Sequence, residues 1–258
     1  MKHTQAYIIC ATPRSGTTLL TDLLTATGVA GRPDSFFRLQ SMRSWWAPYL
    51  NVSAEKWTDD HSFDQAYLDA VIEEGRNGTQ VFGMRLMWTQ VDNLSQKLEN
   101  FYPNLPSDSA RFEAAFGPIS FIHLSREDKV AQAISRIKAE QSGLWHINAD
   151  GSERERVKPQ QKPIFDAQKL AEQVMNYERE DAAWVDWFAK QNIQPLRITY
   201  ESLSENPQAS LAIVLSALDL DPDIAKSVEP RTAKLAGSES QEWAVRFQTE
   251  KNDTYRPI

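Results

Sequence analysis

Three features of the sequence predict an α/β fold, a three-layer sandwich with a central, mostly parallel sheet and helices on both faces. Four short apolar runs rich in β-formers recur along the chain, at residues 7–11, 80–88, 119–124 and 195–200. Stretches with helical character separate them, near 64–75, 90–100, 128–141, 166–191 and 207–218. The runs are continuously apolar, which suits parallel strands covered on both sides. Such a sheet binds ligands outside the carboxyl ends of its strands.

The first run, YIICA at 7–11, stops at Thr12-Pro13. The polar stretch Arg14-Ser15-Gly16-Thr17-Thr18 and then leucines at 19, 20, 23 and 24 complete a strand, a tight loop and a helix. Residues 31–62 mix Pro33, Pro48, six aromatics and several basic residues, and read as a loop-rich insertion. QVFGMRLMW (80–88) supplies the second strand and ISFIHL (119–124) the third, which runs into Ser125-Arg126. The polar, charged stretch 143–163 closes on two prolines and reads as a second loop-rich insertion. Connections this long tend to be functional lids or disordered segments. Leu170, Val174, Tyr177, Trp184 and Phe188 then form the stripe of the longest helix. PLRITY (195–200) is the last strand. One domain covering 1–258, with the two insertions, is the expected organisation.

A chain of 258 residues accommodates one large α/β domain. Its net charge of −7 argues against a general nucleic-acid binder and leaves room for a local basic pocket. The one cysteine, Cys10, lies inside the first run and reads as a buried strand residue; it allows no internal disulfide. The four histidines, His3, His61, His123 and His146, are too scattered to suggest a metal site, so no metal is expected. Nothing approaches 18 consecutive apolar residues, and the first residues lack the pattern of a secretory signal, so a cytoplasmic protein without a transmembrane segment is expected.

The 14–18 loop carries the chemistry. A helix N-terminus offers unpaired N–H groups and a partial positive charge. Here the amides of Ser15 to Thr18 and the hydroxyls of Thr17 and Thr18 would face an anion, Gly16 would allow close approach, and Arg14 would add a fork for phosphate or sulfate oxygens. The loop lacks the lysine and upstream glycine of G-x-x-x-x-G-K-[ST], and no strand ends in an acidic residue for Mg²⁺. An anion held by arginine and backbone amides, without metal, fits this pattern better than Mg·ATP.

At these residues the sequence resembles a known family. TPRSGTTLL (12–20) is similar to the 5′-phosphosulfate loop of sulfotransferases that use 3′-phosphoadenylyl sulfate (PAPS), and HLSREDKVAQAISR (123–136) to their second signature. ITYESLSENPQASLAIVLSALDL (198–220) resembles a late strand, turn and helix of that fold. ATGVAGRPDSFF (26–37), GMRLMW (83–88) and SQEWAVRF (240–247) point to the Stf0 branch, and the likeness runs from residue 6 to about 247. The resemblance implies a small-molecule sulfuryl donor, PAPS, a carbohydrate or glycolipid hydroxyl as acceptor, release of adenosine 3′,5′-bisphosphate (PAP), and a homodimer. It implies that Arg126 and Ser135 grip the donor's 3′-phosphate, with Lys234 or Arg231 as a looser match for a further contact. Ser135 lies nine residues beyond Arg126 and can share that cleft only if its helix folds back over the site.

Sulfuryl transfer needs groups that stabilise charge on the leaving phosphate, for which Arg14 and the 15–18 amides are placed, and a base for the acceptor proton. The family's base is a glutamate before a Phe-Phe pair; here that position is Ser35, and Asp34 is the nearest carboxylate. His123, His146 or no dedicated base are the alternatives. The family's strand lysine is Arg85 here, able to touch donor or acceptor. Trp45, Trp46 and Trp57, in the first insertion, are candidates to stack on a sugar. A Mg-nucleotide kinase or hydrolase on the same fold, and a PAP-binding protein without activity, are the competing functions.

Overall fold

The computed structural model describes residues 6–52, 59–232 and 237–254. Lys234 and Trp57 lie outside the described residues. β1 (Ala6–Ala11), β2 (Phe82–Met87), β3 (Ile119–Ser125) and β6 (Leu196–Thr199) form one sheet in the order β2-β1-β3-β6. All three pairings are parallel. Every residue of β1 is buried, as an apolar strand with neighbours on both edges and layers on both faces must be.

The two faces carry separate cores. Ala6, Ile8 and Cys10 point to one side, where α4 (Asp60–Arg76), α5 (Val91–Phe101), α6 (Asp108–Phe116) and the C-terminal part of α8 (Ala167–Lys190) cover them with Phe63, Leu94, Phe112 and Trp184. Tyr7, Ile9 and Ala11 point to the other, beneath α1 (Thr17–Ala26), α9 (Tyr200–Glu205) and α10 (Pro207–Ala217). A third cluster joins α7 (Lys129–Ser142), the start of α8 and α11 (Ser238–Thr254) through Ile134, Leu170, Tyr177, Trp243 and Phe247. The architecture is therefore the three-layer α/β sandwich that the alternating pattern predicts. Among the described residues no helix is long and apolar enough to cross a membrane.

Both insertions contain regular structure. Residues 31–62 hold two single helical turns, α2 (Leu39–Ser41) and α3 (Ala47–Tyr49), on either side of a π turn at Met42–Trp46, and α4 already starts at Asp60, where Asp59 caps Ser62 N at 2.7 Å. In 143–163 the chain forms an antiparallel hairpin, β4 (Leu144–Ile147) and β5 (Glu153–Arg156). The hairpin is tied outward: Ala149 N donates to Arg231 O at 2.9 Å, and Arg154 pairs with Asp22 of α1 at 2.9 Å. α6 and α11 escape the periodicity reading because each buries little more than one i, i+4 aromatic pair, Phe112–Phe116 and Trp243–Phe247.

Candidate active site

The chain leaves β1 for β2 on one side and later crosses to β3 on the other, so the crossing direction reverses at β1. A crevice opens at the carboxyl end of such a strand. Residues 12–18 turn there, and a cleft of about 1060 Å³ runs along them. The loop is tightly held. Ser15 is buried and donates from Oγ to Thr12 O at 2.8 Å, Gln132 Nε2 donates to Pro13 O at 2.8 Å, and Trp184 Nε1 donates to Ala11 O at 3.0 Å. Arg14 and Gly16 both adopt positive φ, 68° and 87°. At Arg14 this is uncommon backbone for a side chain, of the kind that persists where surrounding contacts enforce it. Gly16 has a second constraint, since a Cβ there would sit 2.6 Å from the Tyr200 ring. The first turn of α1 carries no acidic residue and no side-chain cap, so its amides and partial positive charge face the cleft.

Two hydrogen-bonded groups flank the loop. At one end Arg14 Nε donates to Ser135 Oγ (3.0 Å) and Arg14 Nη1 to Trp145 O (3.0 Å). Arg126 Nη1 donates to Arg14 O (3.3 Å), and its guanidinium lies 4.3 Å over the Tyr200 ring. Arg126 Nε is buried with no partner, an unused donor at the cleft wall. Burial, aided by Arg126 and Arg136, pushes the Arg14 guanidinium below its ordinary pKa. Ser135 lines the cleft because α7 does fold back along it.

At the other end Arg85 is the hub. Its Nε donates to Ser35 Oγ (2.8 Å), Nη1 to Thr18 Oγ1 (3.4 Å) and Nη2 to Asp34 Oδ1 (3.2 Å). Asp34 Oδ1 also accepts from Ser35 N at 2.7 Å, and Arg85 N donates to Asp34 O at 3.1 Å. Ser35 lines the cleft, whereas Asp34 does not, its one-third-exposed carboxylate being tied to Arg85. His146, on β4, also lines the cleft with Nε2 3.3 Å from Thr18 Oγ1. Burial, followed by the charges of Arg14, Arg85 and Arg154, brings its pKa down to about 3.

The remaining candidates lie elsewhere. His123 is buried in β3 against Phe188 (5.4 Å), with Arg197 Nη1 3.1 Å from its Nδ1, and burial holds its pKa down to about 4. It does not line the cleft. Neither do Trp45 and Trp46: successive residues of the π turn, they project apart, Trp46 into the core 4.8 Å from Phe36 and Trp45 outward over Tyr49. Sequence reasoning missed Arg136, Trp145 and the hairpin as cleft walls. The basic run SRIK at 135–138, at helical spacing after the Arg126 strand end, was the available signal.

Among the described residues, five arginines and Lys138 line this cleft against one carboxylate, Glu155. In a chain of net charge −7 that is a local cationic pocket, in which Arg85, Arg136 and Lys138 also pair with Asp34, Glu140 and Glu239.

The chain is 31% identical to a trehalose 2-sulfotransferase of Mycobacterium tuberculosis, covering 95% of this chain and 94% of the relative. It is 29% identical to a trehalose 2-sulfotransferase of Mycolicibacterium smegmatis, with 99% of each covered. A crystal structure of a sulfotransferase from Alicyclobacillus acidocaldarius aligns with 97% of this chain and 93% of its own, at 11% identity and a TM-score of 0.44. The Stf0 sulphotransferase family matches residues 6–250, and with loop, cleft and relatives in agreement the chain belongs to that family of transferases.

Proposed function

We propose that the protein transfers a sulfuryl group from PAPS to a hydroxyl of a carbohydrate or glycolipid, releasing PAP. The cationic cleft carries this reading: it offers arginine forks and helix amides for several anionic groups. Arg126, with its unused Nε, and Ser135 would hold the donor's 3′-phosphate. The 15–18 amides would hold the 5′-phosphosulfate. Arg14 spans the two, and its charge would stabilise the phosphate oxygen that leaves. The Arg85–Ser35–Thr18 group would then border the acceptor hydroxyl, with Asp34 holding the Arg85 fork in place. The acceptor class is proposed from the relatives, both named for trehalose. Such chemistry asks mainly for in-line positioning and charge stabilisation, which a preorganised cationic wall supplies.

The test is calorimetric titration with PAP, then with ATP plus Mg²⁺. Tight PAP binding without added metal, and much weaker binding of Mg·ATP, is the expected result. The reverse order would hand the cleft to a kinase or hydrolase.

A further inference from the structure

We propose that His146 receives the acceptor's proton, doing in this chain what a carboxylate before the Phe36-Phe37 pair does in its family. The inference rests on the sulfuryl-transfer reading above. It starts from which groups at the Thr18 end of the cleft can take a proton. Arginines cannot. Ser35 is a hydroxyl that accepts from Arg85 Nε. Asp34 does not line the cleft, and its carboxylate is paired with Arg85, Oδ1 accepting from Ser35 N and Arg85 Nη2. Glu155 lies at the mouth with its side chain 52% exposed. His146 is left. Its side chain is 23% exposed, its ring lines the cleft, and Nε2 stands 3.3 Å from the hydroxyl of Thr18 in the first turn of α1, where the phosphosulfate would dock.

The hairpin fixes that position. Trp145, next to His146, accepts Arg14 Nη1 at its carbonyl, and Arg154 of β5 pairs with Asp22 of α1. The ring is therefore held against the loop by contacts on both sides. The charged and titratable groups facing it are Arg14 from the β1–α1 loop, Arg85 from β2, and Arg154 and Glu155 from β5. Together with burial, the three arginines keep the imidazole neutral and make it a weak base in the free protein. An anionic donor offsets Arg14 and Arg85, and the imidazole becomes more basic when the donor is bound. The base is thus strengthened when it is needed.

In the step itself, the bond from acceptor oxygen to sulfur forms as the bond from sulfur to the 5′-phosphate oxygen breaks. The breaking bond's electron pair goes to that phosphate oxygen. The hydroxyl proton passes to His146 Nε2, and the imidazolium, with Glu155 Oε2 3.6 Å away, releases it to solvent.

The experiment uses the full chain with His146→Gln and His146→Ala. PAP affinity is measured by calorimetry, and PAP release is followed with PAPS and a panel of trehalose, glycolipids and polysaccharide fragments. Both variants should bind PAP within about threefold of wild type, while kcat falls about 10²–10⁴-fold, the usual worth of a general base. Imidazole added to His146→Ala should restore turnover in proportion to its free-base concentration. Turnover within threefold of wild type, loss of PAP binding in step with kcat, or no rescue would each overturn the assignment. If wild-type protein does not bind PAP, the donor reading itself fails. If it binds PAP yet turns over no acceptor, the donor site stands and the proton-acceptor role of His146 is overturned.

Discussion

Replacing Arg126 by alanine separates binding from folding. In the free protein Arg126 makes one long hydrogen bond, 3.3 Å to Arg14 O, and one ring contact, 4.3 Å over Tyr200. The ring contact contributes about 0.5–2 kcal/mol, and the proximity of the Arg14 charge subtracts from it. The free variant should therefore melt close to wild type. In the donor complex Arg126 would make at least one charge-assisted hydrogen bond to phosphate, about 1.5–3 kcal/mol. Its loss raises the PAP dissociation constant about 10–150-fold. The same figures translate into melting temperature. At 100 times the wild-type dissociation constant, PAP stabilises wild type by about 2.7 kcal/mol, and a variant bound 100-fold more weakly by about 0.4 kcal/mol. For a chain of this size the shift drops from about 5–10 °C to about 1–2 °C. Calorimetry checks the affinity and scanning fluorimetry the shift. Arg126→Lys should fall between, because it keeps the charge and loses the fork. An alanine variant that binds PAP within threefold of wild type would refute the placement of the donor at this wall.

Further expectations concern stability and the loop. Gly16→Ala puts a side chain at φ 87° and a Cβ 2.6 Å from the Tyr200 ring; urea unfolding should show a loss of about 1–3 kcal/mol, and calorimetry a loss of PAP binding. Lys97 donates to both oxygens of Asp64 at 2.7 Å, in a pair whose side chains are 19% and 10% exposed. Lys97→Met should cost up to about 3–5 kcal/mol by stranding the carboxylate, and adding Asp64→Leu should recover most of it in the same unfolding assay. His123 and His146 are held neutral, with pKa values brought down to about 4 and about 3. The unfolded chain takes up these two protons below about pH 6.5 and the folded chain does not, so stability falls as pH drops through that window. By pH 5 each histidine should cost on the order of 2 kcal/mol, and urea midpoints of wild type and His146→Gln at pH 7 and 5 should show the variant losing less.

The layers of the fold were legible because burial wrote them plainly. β1 is apolar at every position since both its faces and both its edges are covered. The hairpin was not legible: β5 reads Glu-Arg-Glu-Arg, with no apolar alternation to mark a strand, and is held by ion pairs and main-chain bonds to distant residues. The loop at 12–18 announced itself by composition, whereas the partners of its side chains did not. Arg14 meets Ser135 across 121 positions because α7 turns back over the cleft, and no local pattern encodes that return. Asp34 illustrates the same limit. Its backbone pairs with Met84, Arg85 N donates to its carbonyl, and this alignment turns the carboxylate toward Arg85. Trp45 and Trp46 share a composition signal but not an environment, since neighbouring residues of a helical turn diverge. His146 carried no motif, and only the fold brings it to Thr18.

The reaction proposed for this cleft is sulfuryl transfer from PAPS to a sugar hydroxyl. The most direct measurement incubates the full chain with PAPS labelled in its sulfuryl group and the panel of trehalose, glycolipids and polysaccharide fragments, then follows the label by mass. The account predicts label on at least one acceptor, one equivalent of PAP for each sulfate transferred, no requirement for added Mg²⁺, and loss of transfer in Arg126→Ala at PAPS concentrations that sustain wild type. PAP bound but no label on any acceptor, or nucleotide turnover only with Mg·ATP, would contradict it.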